Sequence, residues 1–103
     1  MQDKFFQILS LAAKAGKITS GSYTAERAVK QGRAYLVIVS ADSSKGTRKH
    51  FTDMCTYRNV PILFYGDAYR LGKCIGKEER SSVVILDKGF ADKLISVLKE
   101  VVD

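Results

Sequence analysis

The sequence predicts an α/β protein, a three-layer α/β/α sandwich built on a four-stranded mixed sheet. Residues 35–39 (YLVIV) and 83–86 (VVIL) are continuous β-branched and aliphatic runs. Such runs suit strands covered by helices on both faces. The segments around them carry apolar residues at helical spacing. The resulting order, α-β-α-β-α-β-α-β-α, favours helices packed on both sides of one sheet.

The first helix covers residues 5–15, with Phe5, Ile8, Leu9, Ala12 and Ala13 on one face. Gly16 ends it as a C′ residue. Residues 17–20 (KITS) form a short strand. The second helix runs over residues 21–31, with Ala25, Ala28 and Val29 as a small inward stripe. Ser20 or Ser22 is expected to accept from its first N–H groups. After the 35–39 strand, residues 40–44 form a loop with capping candidates. The third helix spans 45–57, turns Phe51, Met54 and Cys55 inward, and ends at Asn59. Residues 60–65 read as a second buried strand, with Pro61 at its start. Gly66-Asp67 leads into a short helix over 68–74. Residues 76–81 form a charged loop before the last strand. Asp87 caps a final helix with core positions Phe90, Leu94, Val97, Leu98 and Val101.

A chain of 103 residues with a hydrophobic fraction of 46% supports one compact domain over residues 1–103. The net charge is +6. The excess is uneven: residues 1–76 hold twelve Lys/Arg against five Asp/Glu, and residues 77–103 hold five against six. A basic surface on the first three quarters suits a polyanionic partner, although a generic soluble surface has the same signature. Cys55 and Cys74 are too few for a disulfide scaffold and read as buried thiols of a reducing cytosol. The N-terminus lacks a basic segment followed by a long apolar core. No run approaches the roughly 20 apolar residues of a membrane span. A cytoplasmic protein without membrane contact is expected.

Catalytic constellations are scarce. His50 is the one histidine, and its place between Lys49 and Phe51 reads as a helix surface. The two cysteines and His50 match no zinc spacing. The pairs Gly16-Lys17, Gly72-Lys73 and Gly76-Lys77 lack the remainder of a phosphate-binding loop. They read as glycine-marked helix ends with lysine beside them. Glu78 and Glu79 are adjacent and flanked by Lys77 and Arg80, so a solvated loop fits them better than an opposed acid/base pair. A non-enzyme without metal or cofactor is expected.

The second helix stands apart. With its apolar stripe inward, Tyr23, Arg27 and Lys30 fall on the outer face at i, i+4 and i+7. Its start carries free N–H groups and the positive end of the helix dipole. Lys17 approaches from the preceding strand. An aromatic ring among cations suits RNA, where a splayed base stacks and phosphates pair with lysine. An ordinary solvated helix face fits the same residues.

Residues 21–42, GSYTAERAVKQGRAYLVIVSAD, together with Asn59-Val60-Pro61-Ile62 and Leu71-Gly72-Lys73-Cys74-Ile75-Gly76, resemble the signature of the ribosomal protein L7Ae superfamily. The likeness extends over roughly residues 5–98 and is strongest to its small bacterial YlxQ-like branch. The resemblance implies an α/β/α sandwich that binds kink-turn RNA, a sharply bent duplex with tandem sheared G·A pairs. The family motif Gly-x-Asn-Glu-x-x-Lys falls on Gly21, Tyr23, Thr24 and Arg27. A cation is kept at Arg27. The Asn-Glu pair that reads the G·A pairs is replaced by Tyr23-Thr24, which cannot offer the same donors and acceptors. The resemblance also assigns residues 77–81 to the loop that covers the flipped-out nucleotide.

The implied surface is Gly21, Ser22, Tyr23, Thr24, Arg27 and Lys30, flanked by Lys17, Lys77, Arg80 and Ser81. The implied partners are ribosomal or other structured RNA and, beside it, ribosomal proteins, with the free protein a monomer. The Tyr23-Thr24 departure leaves a second reading: a protein-interaction module of the translation machinery with only non-specific RNA affinity.

Overall fold

The computed structural model describes residues 3–102, and side chains through residue 99. Five helices and four strands alternate: α1 (Lys4–Lys14), β1 (Ile18–Ser20), α2 (Ser22–Lys30), β2 (Leu36–Val39), α3 (Lys45–Arg58), β3 (Ile62–Phe64), α4 (Ala68–Cys74), β4 (Ser82–Ile85) and α5 (Lys88–Val102). The sheet order is β1-β4-β2-β3. β4 runs antiparallel to both β1 and β2, and β2 pairs in parallel with β3. The sheet is therefore mixed, as expected.

Side-chain alternation along β2 and β4 splits the core in two. Leu36, Ile38, Val83 and Ile85 face α1, α4 and α5, where Phe5, Leu9, Leu71 and Leu94 pack on them. Val37, Val39 and Val84 face α2 and α3, against Ala25, Ala28, Val29, Phe51 and Cys55. Both strands are buried along their whole length. Small residues on α2 let that helix lie close to the sheet.

Helix ends follow local chemistry. Asp3, Ser44 and Asp67 each accept from a backbone N–H of the first turn, at Phe6, Thr47 and Arg70. Asp87 accepts from Phe90 N–H at 3.0 Å, as the sequence suggested. Asn59 ends α3 in the left-handed conformation, with φ 58°.

Five expectations need correction or completion. β3 is not a buried strand like β2. It is the last strand in the sheet order, its residues are half-buried to exposed, and Phe64 is 40% exposed. No serine caps α2: its N-cap is Gly21, which makes no side-chain cap bond. Ser20 instead accepts from Arg80 Nε at 3.2 Å. Gly72 does not mark a helix end. It lies buried inside α4, where the backbone of the 77–81 loop crosses it. Cys74 is only half-buried, with its thiol directed at Phe6 O, whereas Cys55 is fully buried. Ala91 joins the α5 core positions, and Val101's side chain falls outside the described residues.

Alkaline pH should loosen this packing. Burial pushes the Cys55 and Cys74 thiols from an ordinary 9.0 up to about 11. Burial, then donation to Asp3, pushes the Tyr65 hydroxyl from 10.0 up to about 12. All three groups hold their protons more tightly when folded. Their stabilising contribution is complete below pH 9 and is lost as pH rises through the folded values, because the unfolded chain ionises first. The urea midpoint should therefore fall steadily between about pH 9 and 12. A flat midpoint over that range would contradict the burial of these groups.

Candidate nucleic-acid interface

β1, β2 and β3 run parallel to one another, and their carboxyl ends meet the start of β4 at one end of the sheet. Three backbone bonds tie this end together. Gly21 N–H donates to Ser82 O at 3.2 Å, Ser40 N–H to Ser81 O at 2.9 Å, and Ala41 N–H to Gly66 O at 2.8 Å. The carboxyl ends of strands in open α/β sheets are the usual place for ligands.

α2 begins at this end. Gly21 turns the chain from β1 into the helix with φ 96°, a conformation that side-chain-bearing residues rarely adopt. Ala25 N–H makes the first bond of the helix, to Gly21 O at 2.8 Å. The N–H groups of Ser22, Tyr23 and Thr24 have no acceptor among the described residues. They face solvent together with the positive end of the helix dipole, an arrangement that favours an anion.

The side chains beside that start are exposed. Tyr23 is 72% exposed, and the Arg27 guanidinium lies 5.8 Å from its ring centroid. This cation–π contact presents a flat, cationic, aromatic surface. No carboxylate pairs with Arg27 among the described residues. Lys30 differs, because its Nζ lies 2.8 Å from Glu26 Oε1. Glu26 also faces His50 Nε2 at 3.4 Å. Lys30, through its hydrogen bond and charge, and His50 beside it hold the Glu26 carboxyl below its usual range.

Of the ten residues proposed from the sequence, eight fall into two linked groups. Gly21, Ser22, Tyr23 and Thr24 form the helix start. Arg27 stands one turn further on the same face, and Lys30 lies roughly 10 Å from Tyr23 along the helix axis, at 1.5 Å per residue. Arg80 and Ser81 arrive from the 77–81 loop. Arg80 reaches the end of β1 through Ser20, and its Nη1 donates to Glu79 O at 2.9 Å. Lys77 lies further along the outer edge of β1, beside Thr19 and Ser20. Lys17 is exposed but stands at the opposite end of β1, roughly 13 Å from Gly21 at about 3.3 Å per residue. The structure does not bring it to the helix start.

The sequence did not point to Ser20 as the anchor of Arg80, since 60 residues separate the two. Nor did it point to Arg58, whose Nη1 donates to Lys30 O at 3.1 Å and closes the carboxyl ends of α2 and α3 together. Among the described residues no cluster of His, Cys, Asp and Glu could hold a metal, and no helix is long and apolar enough to cross a membrane.

Known proteins resemble this chain in both sequence and shape. It is 41% identical over 95 residues to the RNA-binding protein YlxQ of Bacillus subtilis (strain 168), covering 92% of this chain and 95% of that one. It is 30% identical over 92 residues to the RNA-binding protein YlxQ of Enterococcus faecium, covering 89% and 88%. A solved protein of unknown function from Bacillus halodurans superposes with a TM-score of 0.91 at 34% identity, over 95% of this chain and 99% of that one. The 15.5kD RNA binding protein of Giardia lamblia shares the fold, with a TM-score of 0.77 at 19% identity over 97% and 89%. The model of the ribosomal protein L7Ae/L30e/S12e/Gadd45 family matches residues 3–95, and the chain belongs to that family.

Proposed function

We propose that this chain is a non-enzymatic, cytoplasmic RNA-binding protein, ribosome-associated and monomeric when free, and that its one domain seats a kink-turn-like RNA on the start of α2. The observation that carries this reading is the unspent set of N–H groups at Ser22, Tyr23 and Thr24, bordered by Arg27 over Tyr23 and by Arg80. The descriptions of the YlxQ relatives as RNA-binding proteins support it.

In this reading the backbone N–H groups and Arg27 hold phosphate and set the register, which is the positioning part of recognition. Tyr23 supplies a stacking face for an unpaired base. Thr24 is a short hydroxyl where the family motif has a carboxylate, so base reading falls more on shape and stacking than on paired hydrogen bonds. Lys77, Arg80 and Ser81 form the second wall around a displaced nucleotide. Lys17, at the far end of β1, contributes only to the long-range field.

Filter binding with a kink-turn RNA and a plain duplex of equal length tests the proposal. The kink-turn RNA is expected to bind at least about tenfold more tightly, a difference of about 1.4 kcal/mol. Equal, weak, salt-sensitive binding to both would sink it and favour the protein-interaction reading that the Tyr23-Thr24 departure leaves open.

A further inference from the structure

Three recesses lie in series on the molecule's other side, each sharing lining residues with the next. The first, about 520 Å³, lies between α1 and α4 beside Arg70 and Lys73. It shares Ser10 and Cys74 with a second of about 210 Å³, next to Lys14. That one shares Ala13 and Ile75 with a third of about 470 Å³, which follows the outer edge of β1 past Lys77 to Arg80 and Ser20. Ser20 directly precedes Gly21, so the groove opens beside the α2 start. Its course is roughly 15 Å along α1, at 1.5 Å per residue, and about 7 Å more along β1.

Cations outnumber carboxylates five to one along this groove. Arg70, Lys73, Lys14, Lys77 and Arg80 line it. The one carboxylate among its described lining residues is Asp3, and both its oxygens are engaged, by Phe6 N–H and by the Tyr65 hydroxyl. Glu78 and Glu79 line a fourth recess that shares Lys73 with the first and Lys77 with the third, so two carboxylates stand at the groove's flank. In that recess Tyr69 is 57% exposed, and Lys73 Nζ lies 5.7 Å from its ring centroid. A basic groove with an exposed ring beside it is the usual equipment for a single strand: cations follow the phosphates and a base stacks on the ring. Recesses of a few hundred Å³ have the volume of a small organic ligand, not of a duplex.

We infer that this groove holds a single-stranded RNA segment continuous with the structured element on the α2 start. The inference rests on the proposed function for its starting point, and on the groove's own continuity and charge for its path. Recognition along it is sequence-tolerant, because it uses phosphates and stacking.

The test uses the full chain and a kink-turn RNA with or without a tail of about ten uridines at either end. In the wild type, a tail at one of the two ends is expected to raise affinity about tenfold and to steepen the salt dependence. K14E/K73E should lose that gain while binding the untailed RNA within about twofold of wild type. K14Q/K73Q, which removes charge without reversing it, should lose part of the gain and serves if the Glu variant fails to fold. A free uridine oligonucleotide should bind R27E/K30E at low salt as it binds the wild type. If that oligonucleotide binds normally while untailed RNA binds neither wild type nor variant, the α2 reading fails and the groove stands. No gain from a tail at either end in the wild type, or an undiminished gain in the Lys14/Lys73 variants, overturns the groove.

Discussion

Replacing Arg27 and Lys30 together by glutamate is expected to lower affinity for structured RNA about 100-fold near 0.15 M salt, about 2.8 kcal/mol. It should also cut the slope of log affinity against log salt by about 2. The two positions should not contribute equally. Arg27 has no carboxylate partner among the described residues and stands over Tyr23 beside the helix start. Lys30 is already paired with Glu26 at 2.8 Å and stands two turns away. Arg27→Glu alone should therefore account for most of the loss, and Lys30→Glu alone for a few-fold. A glutamate at 30 also repels Glu26 one turn earlier and opposes the dipole at the carboxyl end of α2, which costs roughly 0.5–1 kcal/mol of stability. The neutral pair Arg27→Gln/Lys30→Gln separates that cost from binding. Titrations of labelled RNA at three salt concentrations read both quantities. Affinity within twofold of wild type for the double Glu variant would remove α2 from the interface.

Gly72→Ala is expected to destabilise the fold by about 3 kcal/mol, at the upper end of ordinary overpacking. Gly72 has no special backbone conformation. The constraint is proximity, since a Cβ there would stand 1.7 Å from Glu78 O and 2.6 Å from its carbonyl carbon. Both are backbone atoms and have no rotamer to change. Lys77 N–H also donates to Gly72 O at 2.8 Å, and Arg80 N–H donates to Ala68 O at 3.0 Å. The loop is thus fastened to α4 at two points. Adding a methyl group forces either the loop or the helix to move. The melting temperature should fall by more than about 10 °C. RNA affinity should fall as well at temperatures where the variant remains folded, because the same loop delivers Arg80 and Ser81 to the α2 start. Gly46→Ala provides the contrast. Gly46 lies in the first turn of α3 with only Ser44 Oγ nearby, at 3.9 Å, and alanine there should stabilise by about 0.5–1 kcal/mol. Thermal melts of the two variants check both signs. A Gly72→Ala protein as stable as wild type would mean that the loop does not lie against α4.

Periodicity and end chemistry are local, and they carried a large part of the architecture. The apolar runs of β2 and β4 fixed those strands, and a stripe of Ala25, Ala28 and Val29 determined which side of α2 faces out. Asp87 and Asn59 marked helix boundaries because capping depends on neighbours a few residues away. The exposure of Tyr23 and Arg27 followed from the same stripe. Local pattern could not settle which strand pairs with which. Within residues 60–65, Pro61 suits either an edge strand or the first residue of a central one, and periodicity does not choose between them, since edge status depends on the absence of a neighbour. The missing cap of α2, the docking of Arg80 on Ser20 and the approach of Glu78 to Gly72 depend on contacts between segments distant in sequence or on close packing that periodicity does not encode. Four of the groove's cations lie within residues 70–80, but only the packing of α1 against α4 adds Lys14 and sets them along one recess. Burial of apolar faces dictates where each element turns its side chains; only the folded packing of those elements decides which polar and charged groups come to stand beside one another.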